Sequence, residues 1–193
     1  RERVSFDLVL SALQPLTYTP ETASLLPEML SLAANGEFGA LFAAHPATSG
    51  NLAEQMNAAL HFSVTCAEDV PRITAAQETR ALDGLPTDRL ARRLIHVCGV
   101  WPRGAMPDDF VQPVTGSVPV LLLSGGMDPV TPPSYGAEVA RGFANSRHIV
   151  APGYGHIVPV HACGARLLAA FVDQAGFGKL AATCVDHLEK GTP

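Results

Sequence analysis

Two residues towards the C-terminal end of the chain have the type and setting of an acid–base pair: Asp128 in SGGMDPV and His156 in PGYGH. A carboxylate that accepts a hydrogen bond from one imidazole nitrogen fixes the ring's tautomer and stabilises the imidazolium. The other nitrogen is then placed to take a proton from a nucleophile. Glycines beside both residues let the two loops turn sharply and approach each other closely. Each residue alone has a plainer reading, Asp128 before Pro129 as a turn or capping aspartate and His156 as a surface-loop histidine. Their joint occurrence, acid before histidine, favours the catalytic one. The third partner is missing. No serine has glycine both two positions before and two after it, so the nucleophile pattern G-x-S-x-G is absent; Ser124 and Ser134 have only the later glycine. His148 and His161 read as structural, one inside a strand and one opening the last helix. His156, His161 and Cys163 lack a metal-ligand spacing, so neither a metal nor another cofactor is expected.

Such a pair needs rigid elements to hold it. Val118 to Leu123 is a near-continuous apolar run, as in a parallel strand covered on both faces. SGG ends it and delivers Asp128. Thr131-Pro132-Pro133 opens a helix on which Tyr135, Val139 and Phe143 share a face. A second strand over about 147–151 leads to the glycine turn that carries His156, and a last helix follows with Ala165, Leu168 and Val172 on one side. This is the β-α-β-α alternation of a doubly wound α/β sheet, in which catalytic groups lie just past the C-terminal strand ends. Two strands do not make a stable sheet alone, so the remaining strands are expected N-terminal to this chain.

Residues 1–113 read as helical. Thr19 caps a helix with Pro20 at its first position, and Leu26, Leu30 and Ala33 continue an apolar stripe that Pro27 kinks or delays and Asn35-Gly36 ends. Further helices are expected from about Asn51, with Leu52, Met56, Ala59 and Leu60 on one face, over Pro71 to Leu82, and after Thr87 with Leu90, Leu94 and Val97.

The chain's 193 residues are 47% hydrophobic and 16% charged, which is ample material for a core. A net charge of -5 argues against nucleic acid or an anionic membrane as partner, and no apolar run is long enough to span a bilayer. The chain starts at Arg1 with no signal-like segment, as expected of a piece of a longer precursor. Four cysteines, Cys66, Cys98, Cys163 and Cys184, form no C-x-x-C; they read equally as two disulfides of an oxidising compartment or as buried thiols.

The segments VPVLLLSGGMDPVTPP, APGYGH and ACGARLLAAFVDQAG…CVDHL, with LHFSVTCAEDVP and CGVWP upstream, resemble the C-terminal region of the tripeptidyl-aminopeptidase-like branch of α/β-hydrolases. These are relatives of prolyl iminopeptidases found mainly as secreted bacterial enzymes. The resemblance implies a helical cap or lid region over 1–113 and, over 114–193, the last two parallel strands of the hydrolase core with their helices. It further implies Asp128 as triad acid, His156 as general base, and the pairings Cys66–Cys98 and Cys163–Cys184. In this branch the oxyanion-hole loop and nucleophile elbow lie upstream of the matched region, so this chain by itself is expected to be inactive.

An exopeptidase must recognise a free α-amino group, for which a carboxylate is the natural partner. Glu68 and Asp69, after Cys66, are the candidates, with the plainer reading of solvated helix-end charges. Trp101 reads as a core or junction residue rather than a pocket wall. The expected activity is a secreted or periplasmic serine exopeptidase that releases short peptides or a residue from free N-termini. A carboxylesterase with the same triad is the alternative, because fold does not fix substrate. A non-catalytic binding module is the reading from another class. The expected partner is the N-terminal part of the same hydrolase or, failing that, a second copy of this fragment covering its open sheet edge.

Overall fold

A computed structural model describes residues 4–45, 57–84, 88–160, 162–178, 180 and 182–189. Residues 51–56, Thr87 and His161, each named above, lie outside the described residues. Helices run over Phe6–Leu13 (α1), Pro20–Ala23 (α2), Leu26–Ala34 (α3), Gly39–His45 (α4), Ala58–Glu68 (α5), Ala75–Leu82 (α6) and Asp88–Val100 (α7). Then follow strand Val120–Gly125 (β1), helix Pro133–Ala140 (α8), strand Ser146–Ala151 (β2), and helices Ala162–Gln174 (α9) and Ala182–Glu189 (α10). The chain forms two compact units, one of Arg1–Pro15 with Ser31–Val111, the other of Leu16–Leu30 with Gln112–Pro193.

The first unit is helical. Ser5 caps α1 by accepting from the Leu8 N–H, and α1 packs on α4, with Ala12 and Leu41 buried. Asn57 caps α5, on which Leu60 is exposed and Cys66 is buried. The helix expected from Pro71 to Leu82 is interrupted. Val70–Arg72 is a 3-10 turn, and α6 begins afresh at a capping box in which Thr74 accepts from the Gln77 N–H while the Gln77 side chain accepts from the Thr74 N–H. Pro71 brings no N–H to an ongoing helix, whereas the Thr74–Gln77 pair satisfies the orphan donors of a new one. A disulfide joins Cys66 of α5 to Cys98 of α7, both fully buried. Trp101, just after α7, packs on Phe62 with ring centroids 5.1 Å apart and donates from Nε1 to the Ser63 hydroxyl at 3.2 Å.

In the second unit β1 and β2 pair in parallel, from Val120 opposite Ser146 to Gly125 opposite Ala151. Side chains alternate between sheet faces. Leu121 and Leu123 join Ile149 and Ala151 in a cluster with Tyr154, Val158, Leu167, Leu180, Cys184 and Val185. Ser124 and His148 take the other face, beneath α8. There Gly136 is required, because a Cβ would lie 2.6 Å from His148 Nε2 and 2.9 Å from Ser124 Oγ. A second disulfide joins Cys163 of α9 to Cys184 of α10.

Several expected helix faces are turned differently. On α9 it is Gly164 and Leu167 that are buried, while Ala165, Leu168 and Val172 are exposed, Val172 at 66%. The helix is apolar almost all round, so periodicity leaves two candidate stripes and the close seat on the Val158 turn selects one. On α8, Tyr135 and Val139 are likewise exposed, and Phe143 lies beyond the helix end beside Gly116. Thr19 caps α2 as expected, and Pro27 falls in the first turn of α3, where no N–H is needed. On α3 the buried residue is Met29, with Leu30 exposed.

Candidate functional site

β1 and β2 end side by side, and their continuations carry the two singled-out residues. After β1 the chain is tied to the loop after β2 by backbone bonds, Gly126 N–H to Ala151 O at 2.7 Å and Met127 N–H to Tyr154 O at 2.9 Å. Asp128 and His156 are thereby brought together. The Asp128 Oδ2 and His156 Nδ1 atoms are 2.9 Å apart, with the carboxylate side chain only 4% exposed and the imidazole half-buried.

The carboxylate is saturated with donors. Its Oδ1 accepts from the Val130 N–H at 2.8 Å and the Thr131 N–H at 2.9 Å, an Asx-type turn into the proline segment before α8. Its Oδ2 accepts from the Thr131 hydroxyl at 2.9 Å as well as facing the imidazole; the same hydroxyl lies 3.4 Å from His156 Nδ1. Asp128 is therefore both a capping aspartate and the partner of His156. Burial pushes its acidity towards higher pH, but the hydrogen bonds from Thr131, His156 and Val130 outweigh that and hold its pKa below the ordinary 3.8. A carboxylate kept ionised beside Nδ1 favours the tautomer with the proton on Nδ1, which leaves the Nε2 lone pair as the base.

Thr131 was read from sequence only as part of a helix start. Its signal was there in the Asp-x-x-Thr spacing, since a side chain three residues after a turn aspartate lies over that aspartate's oxygens. His148 contacts a serine, Nε2 to Ser124 Oγ at 2.9 Å. That pair lies under α8, and burial lowers the His148 pKa from its ordinary 6.5. Ser124 is buried there and lacks the strand-to-helix elbow of a nucleophile.

Glu68 ends α5 in the helical unit and is half-buried, with no ion-pair partner among the described residues. Asp69 caps that helix, is exposed, and pairs with Arg72 at 3.6 Å. Among the described residues no cluster of three or more His, Cys, Asp or Glu is arranged to hold a metal, and no helix is long and apolar enough to cross a membrane.

No curated protein and no solved structure matches the chain. One family model does, over residues 87–184, and it describes a TAP-like protein of the α/β-hydrolases. The match takes in both strands, Asp128, His156 and three of the four cysteines, a little over half of the chain. With that match, the chain belongs to the TAP-like family of α/β-hydrolases.

Proposed function

We propose that this chain supplies the acid, Asp128, and the general base, His156, of a Ser-His-Asp triad whose serine lies upstream of Arg1 in a longer hydrolase. The observation that carries the reading is the 2.9 Å contact of His156 Nδ1 with a buried, fully hydrogen-bonded carboxylate at adjacent strand ends. In the reaction, His156 Nε2 takes the proton of the serine hydroxyl as it attacks a carbonyl carbon, then returns it to the leaving group. Asp128 stabilises the imidazolium formed in between. The sheet, with its last two strands here, is completed by strands from the same upstream part. Residues 114–193 act as core and 1–113 as cap, except that 16–30 pack with the core.

The substrate class we favour is a peptide with a free N-terminus, the enzyme acting as an exopeptidase. Glu68 supports this reading. A carboxylate at a helix C-terminus opposes the helix dipole and so does not stabilise α5, and it is left without a cationic partner among the described residues. Asp69, already engaged by Arg72, is the weaker candidate. Two disulfides fit an enzyme exported to an oxidising compartment.

The test uses the full-length protein with a fluorophosphonate probe, peptide p-nitroanilides and p-nitrophenyl esters. We expect probe labelling on a serine outside these residues, turnover of free-amino peptides, and a fall in kcat of about 10⁴-fold for Asp128→Asn. Glu68→Gln should raise KM for free-amino peptides and leave N-acetylated ones unaffected. Probe labelling with ester turnover alone would make the protein a carboxylesterase. No labelling and no turnover of either substrate class removes the triad reading and leaves a binding module, whereas turnover unchanged in His156→Ala removes His156 as the base.

A further inference from the structure

His156 is clamped from two directions, and one clamp comes from more than a hundred residues earlier in the chain. The residue after it, Ile157, has φ +65°, a left-handed conformation that a β-branched side chain adopts only when its surroundings force it. On the C-terminal side the force is visible: Val158 is buried in the main cluster and Gly164 of α9 sits against its carbonyl. On the N-terminal side Tyr154 is buried and its carbonyl accepts from the Met127 N–H. Gly155 is then pressed against the 3-10 turn Gln14–Tyr18, so closely that a Cβ would lie 2.5 Å from the carbonyl oxygens of both Thr17 and Tyr18. That turn is itself braced. Leu16 is buried, Thr22 Oγ1 donates to the Leu16 carbonyl at 2.8 Å, and Thr19 caps α2. Its last residue, Tyr18, lays its ring edge-on to the imidazole of His156, with centroids 5.2 Å apart and planes at 64°.

We infer that Tyr18 is a positioning residue for His156, its ring forming the wall that stops the imidazole turning away from Asp128. The inference rests on the reading of Asp128 and His156 as a catalytic pair. An aromatic ring has two torsions to fix, and its T-shaped contact is itself attractive. The turn that carries Tyr18 packs with the α/β unit, which is why residues 16–30 group with 112–193 rather than with the helices that flank them in sequence.

The test compares Tyr18→Ala, Tyr18→Phe and His156→Ala in the full-length protein with a peptide p-nitroanilide, together with unfolding midpoints. Misplacing a catalytic base costs rate rather than binding, so Tyr18→Ala should lower kcat by about ten- to a hundred-fold with KM nearly unchanged. Tyr18→Phe keeps the ring and should restore kcat. His156→Ala should abolish turnover. Wild-type kcat in Tyr18→Ala, with His156→Ala inactive, overturns the inference and leaves the catalytic pair standing. Equal losses in Tyr18→Ala and Tyr18→Phe also overturn it, because the hydroxyl would then carry the effect. So does a loss that appears in KM with a lowered unfolding midpoint, the mark of a merely structural side chain. Activity that survives His156→Ala removes the pair itself.

Discussion

Among the described residues of the helical unit, the bonded Cys66 and Cys98 are buried as deeply as Ala12, while Leu60, Val64, Ile73 and Val100 stay exposed. In the α/β unit a continuous cluster of buried side chains runs from Ile149 and Ala151 through Val158 to Leu167, Leu180 and Val185, and the Cys163–Cys184 bond is built into it. Where hydrocarbon contacts between helices are few, a covalent link carries the stability. Where a sheet and its helices bury a common core, the link is an addition to it. The Asp128–His156 pair, proposed as acid and base, belongs to the second unit. Its atoms must be held within tenths of an ångström, which packed strands and short braced loops achieve.

The sharpest way to break that comparison is to remove each disulfide in turn. The Cys66–Cys98 bond closes a separation of 32 residues, so replacing both with alanine should cost the helical unit about 3–4 kcal/mol. The single tryptophan, Trp101, lies in that unit and its fluorescence reports on it. Its urea midpoint should fall steeply in Cys66→Ala with Cys98→Ala and move little in Cys163→Ala with Cys184→Ala. Equal shifts from both pairs would mean that the units share one cooperative core.

A pair of glycines sharpens it further. Gly155→Ala forces a methyl onto the carbonyls of Thr17 and Tyr18 and should cost the α/β unit about 1–3 kcal/mol. Gly99→Ala, on α7 with open space around it, should instead stabilise the helical unit by about 0.5 kcal/mol through helix propensity. Calorimetry on both variants reads the two signs.

The smallest effect is that of pH, and it too belongs to the α/β unit. The His148 pKa is lowered by burial, so below its ordinary 6.5 the unfolded chain binds a proton that the folded one refuses. Stability is therefore full at higher pH and declines as pH falls through 6.5 towards the lowered value. Asp128, also lowered, adds a second decline below 3.8. Urea midpoints at pH 8, 6 and 3 should trace both steps, and His148→Gln should flatten the first alone.

Much of the α/β region was legible in the residues. The apolar run into SGG, the glycine turn before His156 and the Thr19-Pro20 and Thr131-Pro132-Pro133 helix starts are local signals, and the elements they announce are present within two or three residues. Legibility failed where the deciding contact was distant. Leu167 rather than Leu168 faces the core, because α9 offers two apolar stripes and only its seat on the Val158 turn distinguishes them. The interruption at Pro71 is the exception, since the Thr74–Gln77 capping box that restarts the helix is a local signal.

By itself the sequence determined which residues could act as acid and base, their order, and the turns that would expose them, since backbone strain and capping act over a few residues. Only the tertiary structure decided that the Asp128 carboxylate meets His156 and that residues 16–30 pack with the α/β unit, bringing Tyr18 against His156. Those facts depend on parallel pairing and close backbone approach between segments far apart in the chain, which no local pattern encodes.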